Sequence, residues 1–137
     1  MSGEEKVGGL LVTHGRLGDE LLVVAEKIVG EKVEHMASAS IGWDDDVEES
    51  KVKIENCIAS LNRGRGVIVL TDMFGGTPSN VSLSHLGSSV EIVTGVNLPM
   101  VIKVATQSGR ESLSELAEMV KERGKSQISV ASELLGG

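Results

Sequence analysis

Val67-Ile68-Val69-Leu70-Thr71-Asp72-Met73-Phe74-Gly75-Gly76-Thr77-Pro78 reads as a strand, a glycine turn and a helix start. Four consecutive aliphatic residues behind a glycine mark a strand covered on both faces, as at the centre of a parallel sheet. Thr77-Pro78 predicts an N-cap with proline at the first helical position, and the helix runs to about Leu86. A second apolar run, Leu10-Leu11-Val12-Thr13, closes on His14-Gly15. Both runs therefore stop on a residue with chemistry, one an imidazole and the other a carboxylate.

The elements on either side of these runs alternate. Residues 7–13 form the first strand. Leu17, Leu21, Val24, Ala25 and Ile28 follow at helical spacing, and Gly30 ends that helix. Val33, His35, Ala37, Ala39 and Ile41 share one face of a second strand over 33–41. Asp44-Asp45-Asp46 opens a helix whose apolar face is Val47, Ile54, Ile58 and Leu61, closed by Gly64 and Gly66. After the strand and helix of the opening stretch, Val90–Thr94 is a fourth strand. Gly95-Val96-Asn97-Leu98-Pro99 turns into a short helix. Leu113, Leu116, Ala117 and Val120 line another helix, stopped by Gly124. Gln127–Ala131 is expected as a last short strand. The order β-α-β-α-β-α-β-α-α-β predicts an α/β fold, a doubly wound, mostly parallel sheet flanked by helices, with residues 1–137 as one domain.

Composition narrows the function. Of the 137 residues 40% are apolar, but the only aromatics are Trp43 and Phe74, so the core is aliphatic. With so few rings the chain offers no base-stacking platform. A net charge of −7 argues against a nucleic-acid partner. The single cysteine, Cys57, excludes an internal disulfide and fits a reducing compartment. There is no 18-residue apolar run to insert into a membrane. The start, Met-Ser-Gly-Glu-Glu-Lys, lacks the basic and apolar regions of a secretion signal. These features predict a cytoplasmic protein.

If the two apolar strands are parallel neighbours, His14 and Asp72 emerge at the carboxyl edge of the sheet, where open α/β folds bind ligands. A carboxylate on one ring nitrogen fixes the imidazole tautomer and leaves the other nitrogen free as a nucleophile. His14 and Asp72 are therefore the candidate catalytic pair for phosphoryl transfer. The Gly75-Gly76-Thr77 loop, opening a helix, is a candidate cradle for the phosphoryl oxygens. It lacks the lysine and spacing of a nucleotide-binding P-loop. Thr13, Gly15 and Arg16 complete the predicted phosphate-binding set. A histidine at a strand end can equally cap the sheet or bond a buried carbonyl. The second strand end and its glycine loop tip the balance toward chemistry.

Leu11-Val12-Thr13-His14-Gly15, Asp72 to Pro78, and Gly95-Val96-Asn97-Leu98-Pro99-Met100 together resemble the IIA component of the mannose family of the bacterial sugar phosphotransferase system. The motifs stand in the family's order, and the resemblance extends over nearly the whole chain. It implies a phosphotransferase in which His14 is phosphorylated by the carrier protein HPr, with Asp72 as its partner. A separate IIB component then takes the group for sugar uptake. It also implies a four-stranded parallel sheet with a last strand exchanged in a homodimer, and no cofactor. A short terminal segment can add to a partner's sheet edge, so the residues themselves point the same way. Arg16 and Met73 depart from the residues common at their positions. Two other readings stand beside this one. One is a regulatory module whose phospho-His14 state signals to a partner, and the other is the related subunit that serves dihydroxyacetone kinase.

The remaining polar residues have blander roles. His35, His85 and Cys57 lack metal-ligand spacing, so no metal is expected. His35 and Cys57 read as packed residues, and His85 as a helical residue that is solvated or bonded to backbone. The acidic run Asp44–Asp46, Glu48 and Glu49 compensates a helix dipole and aids solubility.

Overall fold

A computed structural model describes residues 5–136. Residues 1–4 of the start read for a leader, and Gly137, lie outside them. The elements are β1 (Gly8–His14), α1 (Leu17–Val29), β2 (Met36–Ile41), α2 (Val47–Leu61) and β3 (Val67–Thr71). They continue with α3 (Thr77–Leu83), β4 (Val90–Thr94), α4 (Leu98–Ala105), α5 (Leu113–Ser126) and α6 (Ala131–Leu134). The four strands lie in the order β2-β1-β3-β4, all parallel, as a doubly wound sheet requires.

The aliphatic runs are the centre of this sheet. Leu10, Leu11, Val12, Val67, Ile68, Val69 and Leu70 are all completely buried. Because side chains alternate along a strand, β1 and β3 feed two separate cores. Leu11, Ile68 and Leu70 pack with Ala25, Val101, Val104, Leu116 and Val120 beneath α1, α4 and α5. Leu10, Val12, Val67 and Val69 pack with Ile54, Ile58, Leu61 and Val81 beneath α2 and α3. At the amino end of β1 the helix layer comes very close. A Cβ on Gly8 would sit 2.6 Å from the Leu61 carbonyl oxygen, a backbone atom at the end of α2. Gly8→Ala is therefore expected to destabilise the fold. Overpacking costs about 1–3 kcal/mol, which exceeds the ~0.4–1 kcal/mol that alanine returns by stiffening the unfolded chain. A urea midpoint equal to or above wild type would contradict the close approach.

Several boundaries move from their expected places. β2 begins at Met36, because Glu34 and His35 turn and only residues 36–41 extend. The Asp46 carboxylate caps α2 by accepting from the Glu48 and Glu49 amides. Val47 stays about half exposed, off the buried face of that helix. The N-cap of α3 is Gly76 rather than Thr77, which shifts Thr77-Pro78 into the first turn. The helix stops at Leu83, leaving His85 in a turn. Gly124 does not end α5. It lies inside the helix, where its missing side chain admits Met100 of α4, and a Cβ there would meet Met100 Sδ at 2.6 Å.

The last strand, expected over 127–131, is absent from the described residues. Gln127 caps α5, and a single helical turn, α6, follows at Ala131. Ile128, Val130, Leu134 and Leu135 are left between 58% and 85% exposed. A strand needs a sheet edge to pair with, and this segment meets none within its own chain. No helix among the described residues is long and apolar enough to cross a membrane.

His35 is part-buried in the turn before β2 rather than within the strand. Its Nε2 lies 3.0 Å from the Val104 carbonyl and donates to it as the neutral N–H tautomer. Burial pushes its pKa down, against the Val104 carbonyl, which pushes it up; Lys6 and Arg63 add to the lowering. Protons therefore bind more readily to the unfolded chain. This part of the stability is complete above the ordinary histidine value, about 6.5, and is lost as pH falls through the lower folded value. Urea midpoints are expected to drop between about pH 7.5 and about pH 5.5, and less steeply in His35→Gln. Equal slopes for the two proteins would exclude the contribution.

Candidate active site

β1 and β3 are neighbours with Val12 opposite Thr71, so the residues just past each strand meet at the carboxyl edge. His14 Nδ1 lies 2.8 Å from Asp72 Oδ2. The same oxygen accepts from the His14 amide at 3.0 Å, and Oδ1 accepts from the Met73 amide at 3.1 Å. Three N–H groups thus converge on one carboxylate. Burial pushes the Asp72 carboxyl upward, but the His14 amide, ring N–H and charge outweigh it and hold its pKa below the ordinary value. An ionised acceptor keeps the proton on Nδ1 and the lone pair on Nε2. His14 Nε2 has no hydrogen-bond partner among the described residues, and the side chain keeps 22% of its exposure.

By the period of two, His14 follows Leu10 and Val12 onto the face covered by α2 and α3. The glycine loop before α3 reaches it there. A Cβ on Gly76 would lie 2.7 Å from His14 Cε1 and 3.1 Å from Nε2, so only glycine lets this loop close over the Cε1–Nε2 edge of the ring. Gly75 has φ +92°, which sets the sharp entry into the helix. Thr77 is exposed in the first turn, where amides have no intrahelical acceptor.

The other predicted phosphate ligands fare differently. Thr13 is completely buried, and its hydroxyl accepts from the Gly18 amide at 2.7 Å. Strand alternation turns it toward α1, away from His14, so its side chain is not part of the site. Gly15 supplies the turn, with φ +53°, but its amide already donates to the Ile41 carbonyl at 2.8 Å. Arg16 caps α1 and is largely exposed. Its guanidinium lies 3.7 Å from Glu20, a weak solvent-screened pair, rather than on His14.

Sequence alone assigns Trp43 no role. It follows β2, the strand beside β1, and its ring stacks on the His14 imidazole with centroids 5.0 Å apart and planes at 25°. The signal was present: Trp43 comes just after a third apolar strand, at the same sheet edge. Among the described residues no group of three His, Cys, Asp or Glu side chains could hold a metal ion.

The family model described as the PTS system fructose IIA component matches residues 8–121. The chain belongs to this EIIA-man family. It is 31% identical over 121 residues to the PTS system mannose-specific EIIAB component of Escherichia coli K12, covering 82% of this chain and 36% of that protein. The chain thus spans about a third of the length of that relative. It is 26% identical over 91 residues to the PTS system fructose-specific EIIA component of Bacillus subtilis, covering 65% and 62% of the two chains. Among solved structures, the mannose/sorbose specific IIA subunit of Enterococcus faecalis superposes with a TM-score of 0.82 at 29% identity, covering 92% and 95%. A PTS IIA protein associated with the fucose utilization operon of Streptococcus pneumoniae gives 0.82 at 30%, covering 96% and 98%. The EIIA-man chain therefore shares its fold with these two structures.

Proposed function

We propose that this EIIA-man chain is a phosphoryl carrier that accepts a phosphoryl group on His14 Nε2 from phospho-HPr and passes it to a IIB component for sugar uptake. The observation that carries this reading is the 2.8 Å contact between His14 Nδ1 and Asp72, with Nε2 unpartnered at the rim. The Nε2 lone pair attacks phosphorus and the N–P bond forms. The bond from phosphorus to the donor atom breaks, and its electron pair leaves with the donor. Nδ1 keeps its proton throughout, and the Asp72 carboxylate balances the charge that the ring acquires. Positioning and electrostatics carry most phosphoryl transfers, and the loop around Gly76 reaches the edge of the ring where the oxygens would rest, a Cβ there falling 3.1 Å from Nε2. Relatives named for mannose and fructose components of the same system support the assignment.

Incubation with phosphoenolpyruvate, enzyme I and HPr, followed by intact mass, tests it. The expected result is a gain of one acid-labile phosphoryl group in wild type and none in His14→Ala. A wild-type chain that gains no mass would sink the reading.

The carrier works as a homodimer in this proposal, with the exposed segment from Ile128 onward pairing on the partner's sheet edge. The apolar side chains left open there support it, since a monomer gains nothing from exposing them. Deleting residues 125–137 is expected to give a monomer or an aggregate in light scattering. A truncated chain that stays dimeric refutes the exchange.

A further inference from the structure

Trp43 is the chain's only tryptophan, and it is 80% exposed. An indole held in water contributes little to a core, so its place needs another reason. The ring it contacts is the His14 imidazole. The loop that carries it is tied down on both sides. The Gly15 amide donates to the Ile41 carbonyl at 2.8 Å, binding the end of β1 to the end of β2. The Gly42 amide donates to Asp45 Oδ2 at 2.7 Å, and the Asp45 amide to the Gly42 carbonyl at 3.3 Å. Trp43 is thereby delivered over the imidazole by one short turn, anchored on the paired ends of β1 and β2.

Trp43, Asp72 and Gly76 each meet a different part of the His14 ring. Asp72 holds Nδ1, Gly76 lines the Cε1–Nε2 edge, and Trp43 covers one face. The contacts differ in what they restrain. The torsion that turns an imidazole about its Cβ–Cγ bond is broad, and one hydrogen bond at Nδ1 leaves the ring free to rock about it. A flat ring packed on the face stops that rocking. We propose that Trp43 is a positioning residue of the transfer site, its indole setting the plane of the His14 ring so that Nε2 points in line at the incoming phosphorus.

This role rests on the His14 transfer reading. It adds that the chain's exposed tryptophan belongs to the site rather than to the fold. Trp43 needs to touch no phosphoryl oxygen, and it gives or takes no proton. Its effect is confined to alignment, so its removal is expected to change turnover more than donor affinity. A stacked aromatic pair corresponds to roughly a two- to tenfold effect on an equilibrium between aligned and misaligned rings.

The test uses the full chain with phospho-HPr as donor, measuring kcat and KM for transfer onto His14. Trp43→Ala is expected to lower kcat by about three- to tenfold and leave KM within about twofold. Trp43→Phe, which keeps a flat face, is expected to recover to within about twofold of wild type. Unchanged kcat in Trp43→Ala, an effect confined to KM, or a Phe variant as slow as Ala would each overturn the role. In wild type, the His14 ring-proton resonances are expected to carry the upfield ring-current displacement of the indole. Their absence would overturn the stack even if a variant failed to fold. A wild-type chain with that displacement but no labelling overturns the transfer reading, and the role with it. A labelled wild type with an equally fast Trp43→Ala overturns Trp43 alone.

Discussion

Asp72→Asn is expected to slow transfer onto His14 by about 100- to 10,000-fold while leaving the fold intact. The carboxylate accepts three N–H groups, those of the His14 backbone, the His14 ring and Met73. An amide keeps only one oxygen. If that oxygen faces His14, the tautomer survives but the negative charge is gone and the new NH2 meets the Met73 amide. If the NH2 faces His14, the ring gives up its Nδ1 proton to accept from it, and the proton moves to Nε2 and removes the nucleophilic lone pair. Either arrangement costs rate. The contact sits at the sheet edge beside exposed Met73, so the unfolding midpoint is expected to fall only modestly and the chain to stay folded. Rapid-quench transfer rates together with thermal melts check this, and wild-type rates in the variant would remove Asp72 from the mechanism.

The same contact has an acid-side signature. With the folded Asp72 pKa below its ordinary value, the stabilisation it brings is complete above the unfolded carboxylate value, about 3.9. It is lost only as pH falls through the lower folded value. Asp72→Asn is expected to erase this loss, visible as a shallower fall of stability in strong acid.

Gly76→Ala is expected to lower transfer by about 100-fold with a stable fold. The added methyl would lie 2.7 Å from His14 Cε1, closer than van der Waals contact allows. The imidazole has little room to yield, since Asp72 holds one nitrogen and Trp43 one face. Either the ring turns and weakens its bond to Asp72, or the start of α3 backs away from Nε2. A displacement near 1 Å at a reacting atom is enough for the stated loss. Transfer kinetics and the His14 ring resonances separate the two routes. A variant with wild-type rates would mean that the glycine loop does not line the reactive edge.

Much of this candidate site is legible in the sequence. The runs around Leu11 and Val69 could only be strands buried on both faces, because a continuous aliphatic stretch has no polar side to offer water. Alternation with amphipathic helices then made the sheet parallel, which puts all strand ends on one side. From that alone His14 and Asp72 belonged to the same edge. The period of two along β1 turns Thr13 away from His14 and toward α1, where its hydroxyl accepts from the Gly18 amide. A glycine late in a helical pattern predicts a stop, as at Gly124. Only the proximity of Met100 explains why it sits inside the helix.

By itself the sequence determined the class of fold, the aliphatic core and the two strand ends that bear His14 and Asp72, since hydrophobic period and turn residues are local properties. The tertiary structure alone decided which strands are neighbours, how close the Gly76 loop comes to the imidazole, and that Trp43 lies on that ring. These depend on register and packing between segments far apart in the chain, which no local pattern encodes. The same reason applies to residues 127–131: their apolar side chains are legible, but a strand forms only where an edge is there to receive it.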